Sequence, residues 1–136
     1  MSISKTARYL WPASTGAVVL GSLSPANSLL IRAVVSTHIR DKVLHFVAYA
    51  LLAIFPVLGM RRKLEAIAGA GSMMLLGLLL EIAQHFVPGR SPEIADEVAN
   101  VLGVLCGMAM AVPFRARQRG AVSQLEAPRL GSGNQD

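Results

Sequence analysis

Residues 80–103, LEIAQHFVPGRSPEIADEVANVLG, decide how this chain is read. They join two long apolar segments, yet gather Glu81, Gln84, His85, Arg90, Glu93, Asp96, Glu97 and Asn100 at the junction. Charged residues make up only 15% of the 136-residue chain, so a cluster this dense needs a physical reason. Apolar flanks of such length point to membrane helices, where ionisable side chains are expensive and mark function by default.

The composition around the junction agrees. Hydrophobic residues form 53% of the chain and aromatics 5%, so its apolar content is mainly small and aliphatic, which suits close-packed membrane helices. The net charge of +5 and pI near 10.2 do not imply nucleic-acid binding. The cations stand at the ends of apolar segments and do not interleave with aromatics. Cys106 is the single cysteine and sits within an apolar segment, where it reads as a small packing residue.

Working outward, Pro88 and Gly89 stop the segment before the junction, expected over residues 64–87. Ser91, Pro92 and Glu93 start the one after it: a capping hydroxyl, a proline in the first turn and a carboxylate at the positive end of the helix dipole. That helix is expected to run to residue 114. Upstream, Asp41 opens an apolar segment ended near residue 60 by Arg61, Arg62 and Lys63. Residues 9–23, behind Lys5 and Arg8, read as a short first helix that is kept. A cleaved signal peptide is the alternative, disfavoured by Pro12 and Gly16 within the run. Tyr9 and Trp11 are expected at the membrane boundary. Residues 24–40 read as an external loop.

These segments predict an all-α fold: an integral membrane bundle of four transmembrane helices over residues 1–116, with 117–136 a disordered cytoplasmic tail. Three of the four approach the ~20 residues needed to cross ~30 Å of hydrocarbon. Lys5, Arg8, Arg61, Arg62, Lys63, Arg115, Arg117, Arg119 and Arg129 fall on one side, and Arg32, Arg40, Lys42 and Arg90 on the other. The bias places both termini in the cytoplasm and turns the junction outward. The expected location is the bacterial cytoplasmic (inner) membrane.

Helical spacing sorts the polar residues into three stripes: Asp41, His45 and Tyr49 with Lys42 beside them; Gly77, Glu81 and His85 with Gln84 adjacent; and Asp96, Asn100, Gly103 and Gly107. At 1.5 Å per residue, Tyr49 lies about 12 Å below Asp41 and Glu81 about 9 Å below Val87, which describes a shallow pocket rather than a pore. Each piece also has a bland reading. His45 or His85 can serve as an interhelical hydrogen-bond donor, Tyr49 as a packing residue, and Gly77, Gly103 and Gly107 as close-approach positions. Glu93 and Glu97 read as solvated or as favouring the helix start. Glu81 is harder to dismiss, because an unpaired carboxylate at that depth costs several kcal/mol or stays protonated.

Two stretches resemble the VanZ-like family of bacterial membrane proteins. Asp41-Lys42-Val43-Leu44-His45-Phe46 with Tyr49 is similar to its DKxxHFxxY signature. Glu81, Gln84, Gly89-Arg90, Asp96, Asn100 and Gly103 are similar to its ExxQ…GRxxxxxDxxxNxxG signature, and Ser22-Leu23-Ser24-Pro25 resembles the end of its first helix. The resemblance covers roughly residues 8–113. It implies a small multi-pass protein whose namesake gives low-level resistance to the glycopeptide teicoplanin, and it carries no catalytic assignment.

The leading functional expectation is binding, with modification ranked just below it, of an anionic envelope lipid or lipid-linked glycan. Asp41, Lys42, Tyr49, Gln84, Arg90, Ser91, Asp96 and Asn100 are the candidate binding residues, and Glu81, His85 and His45 the candidate acids and bases. Proton-coupled transport through Glu81, His85 and Asp96 is a second reading. A structural role is another, in which the polar cluster fixes helix register beside a second copy or a membrane partner. Metal-dependent hydrolysis is disfavoured: Asp41/His45 and Glu81/His85 have chelating spacing, but Lys42 and Arg90 would oppose a cation. No metal, no cofactor and no nucleic-acid partner are expected.

Overall fold

A computed structural model describes residues 3–25, 28, 41–89 and 93–131, the last eleven of these as backbone only. The described residues form four helices: α1 (Ile3–Ser22), α2 (Asp41–Gly59), α3 (Lys63–Gln84) and α4 (Ile94–Gly131). Three segments are long and apolar enough to cross a bilayer, namely α2, α3 and Ile94–Gly120 of α4. α1 is not among them; its 20 residues include Lys5, Arg8 and an internal Pro12.

Local chemistry sets the helix ends. Asp41 at the start of α2 and Asp96 and Glu97 in the first turn of α4 face positive dipole ends. The Glu65 carboxylate reaches back to the Arg62 N–H at 3.4 Å and so caps α3. After α3, Gly89 takes φ 77°, a left-handed conformation that other residues adopt only with strain. The last carbonyls of α2 and its following turn are met by arginines. Arg8 donates to Gly59 O at 3.2 Å, Arg115 to Val57 O and Arg61 O, and Arg119 also to Arg61 O.

α2 is the central helix and touches all three others. Its buried face supplies Tyr49, Leu52, Ala53 and Val57, packed with Ala70 and Met73 of α3 and Val104 and Ala111 of α4. Pro56 lies inside α2, and Gly69 of α3 makes room for it: a methyl at Gly69 would stand 2.8 Å from Pro56 Cβ. Trp11 packs partly buried against this core beside Gly69, whereas Tyr9 is exposed. The disordered tail expected from residue 117 is helical through Gly131, as an extension of α4. Its Ala, Gln, Leu, Glu and Arg favour helix, against Gly120, Pro128 and the terminal Gly131.

Candidate functional site

α2 and α4 are joined without space between their backbones. A methyl at Gly103 would collide with the carbonyl of Phe46 and the N–H of Ala50, and one at Gly107 with the carbonyl of Ala50. This close seam brings the polar outer turns of the two helices into register. Gly77 of α3 works similarly, since a methyl there would meet Glu97 Oε2 at 2.8 Å, Asn100 Nδ2 at 2.9 Å and Tyr49 Cε1 at 3.2 Å.

Asn100, 1% exposed, links the polar residues across this contact. Its Nδ2 donates to Glu97 Oε2 at 3.1 Å, and its Oδ1 stands 3.0 Å from His45 Nδ1. An ionised carboxylate only accepts, so Glu97 fixes which way the Asn100 amide faces. Oδ1 then accepts from His45 Nδ1–H, which leaves Nε2 as the basic nitrogen of the neutral ring. The ring stacks parallel to Tyr49 with centroids 6.5 Å apart, and Tyr49 itself is buried in the core.

Above this, the Lys42 ammonium donates to Glu93 Oε2 at 2.6 Å and Asp96 Oδ1 at 3.4 Å. Asp96 is buried and Glu93 exposed. The Lys42 ammonium beside Glu93 holds its carboxyl below the usual carboxylate range. Asp41, His45 and Asp96 each bring a potential ligand atom within 4.8 Å of the others, so the Asp41/His45 pair converges with Asp96. The Lys42 ammonium already stands on Asp96 there.

Glu81 and His85 belong to a different part of the site. They line an open cleft of about 520 Å³ between the end of α3 and the start of α4, together with Leu78, Ile82, Phe86, Glu93, Ile94 and Glu97. Glu81 is 7% exposed, and its Oε2 accepts the Glu93 N–H at 3.3 Å. His85 is exposed and stands edge-on to Phe86. Gln84 turns the other way: its Nε2 donates to Ser22 O at 3.2 Å and ties α3 to the end of α1. Arg90 and Ser91 lie outside the described residues.

The three expected stripes therefore divide into two groups that share α4. Asp41, Lys42, His45, Tyr49, Asp96 and Asn100 form the α2–α4 network, and Glu81 and His85 form the wall of the cleft. Sequence reasoning undervalued Glu93 and Glu97. Glu93 pairs with Lys42 and its N–H meets Glu81, while Glu97 orients Asn100 and faces the cleft. Their spacing of four on α4, with Asn100 three beyond Glu97, is the signal that could have found them. The apolar walls, Leu78, Ile82, Phe86 and Ile94, carry no mark that separates them from ordinary lipid-facing residues.

The family model described as VanZ/LLP1 matches residues 4–115 of this chain. Among curated proteins and solved structures, nothing matches it.

Proposed function

Since the chain belongs to the VanZ/LLP1 family and has the helices of a membrane protein, we propose that it binds an envelope lipid or lipid-linked glycan in the cleft between α3 and α4. The cleft faces outward from the bacterial cytoplasmic membrane, and the protein acts in envelope physiology, including low-level teicoplanin resistance. One observation carries this reading: the cleft runs from exposed apolar side chains, Ile82, Phe86 and Ile94, to the buried carboxylate of Glu81. An open, mainly apolar groove that also holds a buried carboxylate matches an amphiphile that arrives from the bilayer. If the bound headgroup is also modified, Glu81 and His85 are the groups within the cleft that can exchange protons, with His45 in the adjoining α2–α4 network.

The anionic part of such a headgroup, its phosphate, is assigned to Arg90, because Lys42 is already engaged by Glu93 and Asp96. Mass spectrometry of lipids that co-purify with the wild type, Ile82→Trp and Arg90→Ala tests the reading. A lipid class present in the wild type and absent from the cleft-filling Ile82→Trp is expected. Identical profiles in all three would overturn it.

The structural reading has its own support. Lys42–Asp96, His45–Asn100 and Gln84–Ser22 each join two helices, as elements that fix register would. Glu81→Gln and Glu81→Ala separate the two. If teicoplanin susceptibility is unchanged in both at equal membrane levels, the cluster serves packing. Transport has less in its favour, since Leu52, Ala53, Val57, Ala70, Met73, Val104 and Ala111 fill the space beneath the polar layer.

A further inference from the structure

We infer that the α3–α4 cleft selects a lipid whose headgroup carries a cationic nitrogen, such as a primary amine. The inference rests on the reading that the cleft receives a bilayer lipid, and it fixes that ligand's charge. Three of the eight described lining residues are carboxylates, Glu81, Glu93 and Glu97, and none of these eight is Lys or Arg. Among the described residues, Glu81 accepts from the Glu93 N–H, Glu93 from Lys42 and Glu97 from Asn100. A carboxylate offers about four lone-pair sites, so most of the acceptor capacity at this end of the cleft is left for a donor.

The Lys42 ammonium meets part of the charge but sits between Glu93 and Asp96, outside the lining. Glu81 is 7% exposed, so its charge is poorly solvated and gains most from a neighbouring cation. Apart from His85, the remaining walls are hydrocarbon, with Phe86 80% and Ile94 88% exposed where an acyl chain would lie. An ammonium at the acidic end, with its chains along Ile82, Phe86 and Ile94, satisfies both halves of the groove. The volume of about 520 Å³ suits a headgroup with its first methylenes.

Native mass spectrometry of the full chain, with three chain-matched lipids added in equal amounts, tests this. The probes are phosphatidylethanolamine, its N-acetylated form, which keeps the phosphate and loses the cation, and phosphatidylglycerol. Phosphatidylethanolamine is expected to be retained about tenfold over the N-acetylated lipid, the scale of one charge-assisted hydrogen bond. Glu93→Gln and Glu97→Gln are each expected to lower that ratio several-fold; glutamine at 97 still accepts from Asn100, so the helix contact survives. Ile82→Trp should remove all three lipids. Equal retention of the amine and its acetylated form, or a preference for phosphatidylglycerol, with Ile82→Trp still releasing lipid, overturns the cationic assignment alone. Retention unaffected by Ile82→Trp overturns the cleft as the binding place, and the assignment with it.

Discussion

Asn100 has its amide committed on both sides, to Glu97 and to His45, and no route to water at 1% exposure. Replacing it with leucine keeps the branching of the side chain but leaves a part-buried histidine N–H without its partner and removes a donor from Glu97. A loss of about 1–3 kcal/mol in unfolding free energy is expected, read by denaturation in mixed micelles. Glu93 behaves differently because it is exposed and paired with Lys42, whose other partner is Asp96. Its folded-state pKa is depressed, so its stabilising contribution is present above the ordinary carboxylate value. The contribution is lost as pH falls through the lowered value. Wild type should therefore exceed Glu93→Gln in thermal midpoint at neutral pH, with the gap closing in acid and narrowing in high salt. A gap that widened in acid would contradict the pairing.

Between elements, the glycines report how closely helices approach. At Gly103 and Gly107 an added side chain meets backbone of α2, which cannot rotate aside; at Gly71 of α3 it meets nothing within 4 Å. Gly107→Val is expected to destabilise the bundle by about 1–3 kcal/mol, the usual overpacking cost. Gly71→Ala should be neutral or slightly stabilising through helix propensity. Thermal melts of the two in one detergent make the comparison, and equal losses would remove the case for a close α2–α4 seam. Gly103-x-x-x-Gly107 was legible in the sequence because small residues at that spacing have few other uses. The Gln84 tie to α1 was not legible, because its partner, Ser22 O, is a backbone group 62 positions away that no side-chain pattern announces. The cleft was illegible for a related reason. Its apolar walls have the same composition as helix faces that meet lipid, and only the divergence of α3 from α4 tells them apart.

For the molecule as a whole, the polar layer and the bounds of α2 and α3, to within a few residues, were legible in the sequence. The carboxyl-terminal extension of α4 was missed because disorder was inferred from Gly, Ser and Pro without weighing their helix-forming neighbours. The arginine clamp on the end of α2 lies opposite the cleft end of the bundle, so the two ends should differ in accessibility. With Cys106 replaced by alanine, a cysteine at position 93 should react with an impermeant thiol reagent in intact cells, and one at position 62 only after permeabilisation. The reverse pattern would invert the molecule and remove the outward-facing cleft from the functional reading.

Glu97 faces the groove while also holding the amide that sets the tautomer of His45. An occupant that draws on that carboxylate is thus felt through Asn100 at the contact of α4 with α2. The imidazole resonances of His45 become a built-in gauge of occupancy, moving as the groove fills and resting when it empties.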